Sequence, residues 1–115
     1  MPKGLDLFKY ITNKLYSYIL KINKSLKVAY PSTIMLEVTN HCNLKCITCP
    51  REYIFGDQMD KGYMKFNKLK KIIDEAYPYV DSIGLTGLGE TLLYKDIADA
   101  VNYIKSKSKG IIVSC

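Results

Sequence analysis

The sequence has little arginine and no long apolar run. Arg51 is the one arginine among 17 basic residues. Because phosphate and base recognition usually relies on the guanidinium fork, this scarcity argues against a nucleic-acid-binding protein. No window approaches the run of about 18 apolar residues that a membrane-spanning helix needs. The first 30 residues also lack an apolar stretch of the length typical of an export signal, so we expect a cytoplasmic chain.

What the sequence does contain is the composition of a folded globular protein. Apolar residues make up 48% and charged residues 24% of its 115 residues, which excludes disorder as the main state. The formal net charge of +6 is unevenly distributed. Residues 1–30 carry six lysines against Asp6, whereas residues 31–115 carry 11 basic and 10 acidic residues. The basicity therefore belongs to the leading segment.

The leading segment, residues 1–30, has the pattern of a basic amphipathic helix that ends at Pro31. Its apolar side chains recur at steps of three and four: Phe8, Ile11, Leu15, Ile19, Ile22 and Leu26. We expect this apolar face to pack on the domain that follows, residues 31–115. The alternative is that the helix makes a weak contact with an anionic membrane surface.

Beyond Pro31, short apolar runs alternate with helical periodicity. Strands are predicted at 34–38, at 82–86 and from 111 onward. Two helices are predicted between them, the first capped by Asn67 and the second stopped by Gly110. Their apolar positions are Leu69, Ile72, Ile73 and Ala76 in the first, and Ile97, Ala100, Val101 and Ile104 in the second. This β-α-β-α-β order indicates an α/β fold with parallel strands.

A long irregular stretch, residues 39–64, separates the first predicted strand from the helix after it. Loops of this length inside a domain are usually functional. Its aromatic residues Tyr53, Phe55 and Tyr63 are interpreted as anchors of the loop.

Three of the four cysteines lie within eight residues of this loop. Cys42, Cys46 and Cys49 form a C-x3-C-x2-C motif, and such close thiols in a reducing compartment indicate a metal site rather than disulfides. Three thiolates can hold a 4Fe–4S cluster and leave one iron open, whereas structural zinc sites and electron-carrier clusters use four protein ligands. A zinc site completed by His41 or Cys115 remains the alternative, although we interpret Cys115 as a terminal or core thiol.

A second motif follows the second predicted strand and contains Gly87, Gly89 and Glu90. Because the carboxyl ends of parallel strands meet at one edge of a sheet, we expect this turn to lie near the cysteine loop. Glycines there would allow the backbone to approach a ligand closely, and Glu90 could receive an amine. The two motifs together predict a cofactor site.

These two segments, LEVTNHCNLKCITCPRE at 36–52 and TGLGETLL at 86–93, resemble the radical S-adenosylmethionine (radical SAM) superfamily, in particular its iron–sulfur oxidoreductase-like branch. The resemblance implies that Cys42, Cys46 and Cys49 ligate a 4Fe–4S cluster whose open iron binds SAM. It also implies that Gly87, Gly89 and Glu90 hold the methionine amino end.

The same resemblance implies a chemistry. A low-potential donor of the flavodoxin or ferredoxin type would reduce SAM, and the resulting 5′-deoxyadenosyl radical would abstract hydrogen from a substrate that the sequence does not identify. Two residues depart from the family pattern. Thr48 stands where many members have an aromatic residue that touches adenine, and Thr91 stands where a proline is common.

The resemblance further implies a partial (β/α)6 barrel of the TIM type. Residues 31–115 supply two β-α units and the start of a third strand, so we expect the amino-terminal portion of such a barrel, a truncated radical SAM core. A second chain could supply the remaining strands. Two alternatives stay open, namely a non-catalytic zinc or iron–sulfur module and an inactive remnant, and with them the question of whether the chain is an enzyme.

Overall fold

Three helices and three strands make up the computed structural model, which describes residues 4–24, 26–53, 56 and 58–115. Their order along the chain is α1 (Gly4–Ile22), β1 (Thr33–Met35), α2 (Phe66–Ala76), β2 (Ser82–Gly84), α3 (Ile97–Lys107) and β3 (Ile112–Ser114). Two single 3₁₀ turns lie at Pro50–Glu52 and Thr91–Leu93. The predicted α/β order of a leading helix followed by β-α-β-α-β is confirmed.

The strands form one parallel sheet in the order β1-β2-β3. Ile34, Ile83 and Val113 lie side by side across the sheet. The carboxyl ends of the three strands therefore share one edge. Each strand has three residues, so β1 and β2 are shorter than the predicted runs. Val38 and Leu85 lie beyond the strand ends but are buried, which explains why the apolar runs extend further than the ladder.

Helices α2 and α3 pack together over the sheet, and their predicted apolar positions form the core. Each helix contributes two fully buried side chains, which lie in one cluster with Ile83: Leu69 and Ile73 from α2, and Ala100 and Ile104 from α3. Burying a leucine or isoleucine fully contributes about 1.5–3 kcal/mol. The predicted core faces of both helices are confirmed except at Ile72, which is half-buried and lies outside this cluster.

The predicted start of α2 and the predicted end of α3 are wrong. Helix α2 begins at Phe66, with Lys65 in extended conformation as its N-cap, so Asn67 lies inside the helix. Phe66 packs against the core, which places the helix start before Asn67. Helix α3 ends at Lys107, and Ser108 continues in extended conformation with φ −153°. A chain that leaves the helix by extending does not need a glycine in left-handed conformation, so Gly110 has no capping role.

Polar side chains join helix α1 to residues that flank β2 and α2. Tyr10 donates a hydrogen bond to Asp81 at 2.6 Å, and Lys14 forms an ion pair with the same carboxylate. Tyr77 donates to Asp6 at 3.0 Å. These bonds join the helix to residues that lie about 70 positions further along the chain.

The buried side chain of Asn13 adds two further bonds, because it accepts from the amide of Tyr30 at 3.0 Å and donates to its carbonyl at 3.1 Å.

The expectation that the apolar face of α1 packs on the domain is wrong. The predicted apolar side chains are 44–65% exposed within α1, namely Phe8, Ile11, Leu15, Ile19 and Ile22, and Leu26 lies beyond the end of the helix, fully exposed. The polar side of α1 faces the domain instead, because Tyr10 and Lys14 bind Asp81.

The described strands form an open sheet, so the barrel remains a prediction, as does the domain boundary at residue 30. No helix in the described part of the chain is long and apolar enough to cross a bilayer.

Candidate functional site

The cysteine loop, residues 39–64, is closed at its base. Thr39 and Tyr63 form an isolated antiparallel bridge, and the amide of Met64 donates to the carbonyl of Val38 at 2.8 Å. The His41 ring stacks on Tyr63 with 4.4 Å between ring centroids. The two ends of the loop therefore lie side by side directly after β1.

Two polar side chains hold this base together. The Asn40 side chain donates to the carbonyl of Asp60 and accepts from the amide of Gly62, both at 2.7 Å. The buried hydroxyl of Thr39 donates to the Gly62 carbonyl and accepts from the His41 amide, both at 3.0 Å. Sequence reasoning did not identify either residue as important, because their partners lie about 20 residues away.

The three predicted cysteine ligands all lie in this loop with reduced thiols. Cys42 and Cys49 are half-buried and Cys46 is exposed. The amide of Cys49 donates to the carbonyl of Cys46 at 3.0 Å, and the amide of Leu44 donates to Cys42 Sγ at 3.4 Å. Three free thiols are a donor set suited to a 4Fe–4S cluster or to zinc.

The loop does not hold these thiols in a preformed metal site. Among the described residues, no three His, Cys, Asp or Glu side chains lie close enough together to hold a metal ion. The structure also brings neither His41 nor Cys115 into such a group, and Cys115 is exposed after β3. The chemistry of the donor set thus fits a cluster, whereas convergence of the thiols would require the loop to rearrange.

The glycine–glutamate turn, residues 87–90, docks on the start of the cysteine loop. The amide of Glu90 donates to the carbonyl of His41 at 2.8 Å. Gly89 lies so close to Thr39 that a Cβ atom at position 89 would be 2.2 Å from the Thr39 carbonyl oxygen. The expected meeting of the two motifs at the carboxyl edge of the sheet is confirmed, and Gly89 makes this backbone contact possible.

Glu37, two residues beyond the end of β1, supports the same turn. Its carboxylate accepts from the amide of Leu88 at 2.6 Å, and it lies over Gly87, where a Cβ atom would be 2.5 Å from Glu37 Oε1. The sequence carried a signal for this residue, because Glu37 is the one acidic position in the apolar run from Ile34 to Val38.

Glu90, which ends the turn, and Thr91, which follows it, have local structural roles. Glu90 Oε1 accepts from the amide of Leu92 at 3.1 Å and caps the 3₁₀ turn at Thr91–Leu93. A carboxylate retains further acceptor sites after one such bond. Thr91, the residue in the place of the common proline, is buried and donates its hydroxyl proton to the Leu85 carbonyl at 2.5 Å. This bond fastens the turn to the end of β2.

A cavity of about 480 Å³ borders the cysteine loop. Cys42 and the cationic side chains Lys45, Arg51 and Lys61 are among its lining residues. Tyr53 braces the loop by donating to the carbonyl of Ile47 at 2.5 Å, and Tyr63 does so through its stacking on His41. The third predicted anchor, Phe55, lies outside the described residues.

Comparison with known proteins gives two partial similarities, and no family model matches the chain. It is 28% identical over 83 residues to a tungsten-containing aldehyde ferredoxin oxidoreductase cofactor-modifying protein of Pyrococcus furiosus, covering 70% of this chain and 22% of that protein. It is 34% identical over 74 residues to a probable GTP 3',8-cyclase of Methanococcus maripaludis, covering 63% and 24%. The chain thus spans less than a quarter of the length of these relatives.

Proposed function

We propose that the chain is the cluster- and SAM-binding part of a radical SAM enzyme. Cys42, Cys46 and Cys49 are the ligands of a 4Fe–4S cluster, and the turn containing Gly87, Gly89 and Glu90 holds the methionine end of SAM. Two things support this: the sequence motifs themselves, and the similarity to two curated proteins that are related to this superfamily.

The observation that carries the proposal is the hydrogen bond from the Glu90 amide to the His41 carbonyl. His41 immediately precedes the first cysteine, and Glu90 ends the glycine–glutamate turn. Two motifs about 50 residues apart in sequence are therefore joined by backbone contact at the edge where α/β folds collect their ligand sites.

The residues around this junction have the chemistry that the two ligands require. The three thiols supply soft sulfur donors for iron. Glu90 keeps acceptor capacity for an ammonium group after capping its own turn. The cavity beside Cys42 is lined by three cations, Lys45, Arg51 and Lys61, and one anion, Glu52, so its net positive charge would attract a carboxylate. When bound, the cluster and SAM supply the one-electron reductive cleavage that yields a 5′-deoxyadenosyl radical.

The partners of the complete reaction belong to the same proposal. A flavodoxin- or ferredoxin-type protein would supply the low-potential electron. The remaining strands of the barrel would come from further sequence or from a second chain, and they would carry the contacts to a substrate whose identity is open.

Anaerobic reconstitution of the 115-residue chain with iron and sulfide tests the proposal. We expect about four irons and four sulfides per chain and an electron paramagnetic resonance signal after reduction with dithionite. Addition of SAM should change that signal, because SAM would occupy the open iron. Cys42→Ala, Cys46→Ala and Cys49→Ala should each abolish the cluster.

Cys115→Ala is the matched control, since this cysteine is also a free thiol but lies outside the motif. It should leave the iron content unchanged. Tight binding of one zinc ion instead of iron would show a structural metal module. The proposal would be contradicted if the cluster still forms in Cys42→Ala, or if SAM does not change the electron paramagnetic resonance signal.

A further inference from the structure

The apolar face of α1 is uncovered in this structure. Its five large side chains recur at steps of three and four along a helix of 19 residues: Phe8, Ile11, Leu15, Ile19 and Ile22. Their exposed fractions range from 44% to 65%. At 1.5 Å per residue, the apolar stripe from Phe8 to Ile22 is about 21 Å long.

The contacts of α1 with the rest of the chain orient this stripe away from it. Tyr10 and Asn13, which bind Asp81 and Tyr30, lie on the side of the helix opposite to the apolar residues, and Lys14, which also binds Asp81, lies at the border of the stripe. The helix is thus held from its polar side. An apolar stripe fixed in this way faces whatever lies outside the chain.

The borders of the stripe are basic and contain tyrosine. A rotation of 100° per residue places Lys9 and Tyr16 on one border and Lys21 and Tyr18 on the other. The single acidic residue of the helix, Asp6, lies on the polar side and accepts from Tyr77. Lysine stems can lie along an apolar surface with their ammonium groups at its edge, and tyrosine favours the same interfacial level.

The segment after α1 extends the apolar surface. Leu15, Ile19 and Val28 line one open groove of about 560 Å³, and Val28 itself is 88% exposed. The groove adjoins the stripe, so these exposed apolar side chains form one surface and are not scattered singly.

We infer that α1 docks flat on an anionic lipid surface, with the stripe among the acyl chains and the flanking lysines at the phosphate level. Charge complementarity favours this occupant. Residues 1–30 carry six lysines and one aspartate, so a second copy would bring the same positive borders together, whereas anionic headgroups neutralise them. The inference is independent of the cluster and of SAM.

Cosedimentation of the full chain with vesicles tests the inference. We expect binding to phosphatidylcholine vesicles that contain phosphatidylserine, little binding to phosphatidylcholine alone, and weaker binding as salt is raised. Ile11→Ser with Leu15→Ser should weaken binding at least about tenfold, since two apolar side chains no longer enter the lipid. Ile47→Ser with Leu92→Ser is the control, because these side chains are even more exposed than Ile11 and Leu15 but lie outside α1.

A second pair of variants tests the charge without altering the stripe. Lys9→Gln with Lys21→Gln should reduce binding to the anionic vesicles, and Lys68→Gln with Lys109→Gln, which changes exposed lysines elsewhere, should not. Circular dichroism should show that all four variants keep the wild-type helix content. The inference is overturned if the wild-type chain does not bind anionic vesicles. It is equally overturned if both α1 variants bind these vesicles as well as their control variants do. It is also overturned if the chain dimerises and Ile11→Ser with Leu15→Ser makes it monomeric.

Discussion

Gly89 packs directly against the backbone of Thr39, so that a Cβ atom at position 89 would lie 2.2 Å from the Thr39 carbonyl oxygen. The neighbouring bond from the Glu90 amide to the His41 carbonyl has a length of 2.8 Å. Together these contacts join the glycine–glutamate turn to the start of the cysteine loop. Neither segment can move away from β1 and β2 without breaking them.

Gly89→Ala should separate the two segments. The added methyl group overlaps backbone atoms, which cannot rotate aside, so we expect a loss of about 1–3 kcal/mol in the free energy of unfolding. Urea denaturation measures this. Gly62→Ala is the control, because a Cβ atom there meets nothing within 4 Å and the backbone angle φ at Gly62 is not positive. Equal stability of the two variants would contradict the role given to Gly89.

Thr91→Val tests the bond between the turn and the end of β2. The substitution keeps the shape of the side chain but leaves the Leu85 carbonyl without its hydroxyl partner. We expect a loss of about 1–3 kcal/mol in thermal or urea unfolding. Thr91→Ser retains the hydroxyl and should recover most of this loss. If valine is as stable as the wild type while serine is destabilising, the packing of the methyl group and not the hydrogen bond is responsible.

Tyr94→Phe should stabilise the protein or leave its stability unchanged. The Tyr94 side chain is fully buried, and its hydroxyl has no hydrogen-bond partner among the described residues. Burial, with a smaller contribution from Asp96, raises the pKa of this phenol. Removing an unsatisfied buried hydroxyl removes its desolvation cost, so we expect a gain of about 0–1 kcal/mol. A loss above about 1 kcal/mol would show that the hydroxyl has a partner outside the described residues.

Asp81→Asn should remove a pH-dependent part of the stability. Burial acts to raise the pKa of Asp81, but the hydrogen bonds from Lys14 and Tyr10 outweigh it, so the pKa is lowered on folding. The ionised carboxylate is therefore the form that stabilises the fold. Its contribution is complete above the unfolded value of about 3.9 and is lost as the pH falls through the lower folded value.

Urea unfolding at a series of pH values from about 6 to about 2 measures this effect. The wild-type chain should lose more stability on acidification than Asp81→Asn, which lacks the titrating group. Glu75→Gln removes an exposed carboxylate on α2 and should behave like the wild-type chain. Parallel pH profiles for the wild type and Asp81→Asn would show that the ion pair with Lys14 does not anchor α1.

The parts of the fold that follow from local periodicity could be predicted. The apolar spacing of Leu69 with Ile73, and of Ala100 with Ile104, identified the faces that α2 and α3 bury. The orientation of α1 could not be predicted in this way. Its apolar stripe is the stronger local signal, but the helix is held by Asp81, which lies more than 60 residues away and whose position depends on the completed sheet.

The candidate site, too, could be predicted only in part from the sequence. The order of strands and loops was enough to predict that the cysteine loop and the glycine–glutamate turn meet at one edge of the sheet. The side chains that hold them there were not predictable, because Glu37 and Thr39 act through backbone groups of distant segments. Backbone amides and carbonyls occur at every position, so the sequence contains no pattern that identifies which of them will be used.

In many small metal-binding proteins, folding and metal binding are coupled. The closed base of the cysteine loop separates folding from ligand binding in this chain. Asn40 binds both Asp60 and Gly62, so the entropy cost of bringing the loop ends together is met by groups that belong to the protein alone. The sheet and its two helices can therefore fold before any ligand arrives. A rearrangement of the three cysteines between the two ends would therefore leave the register of β1 and β2 unchanged.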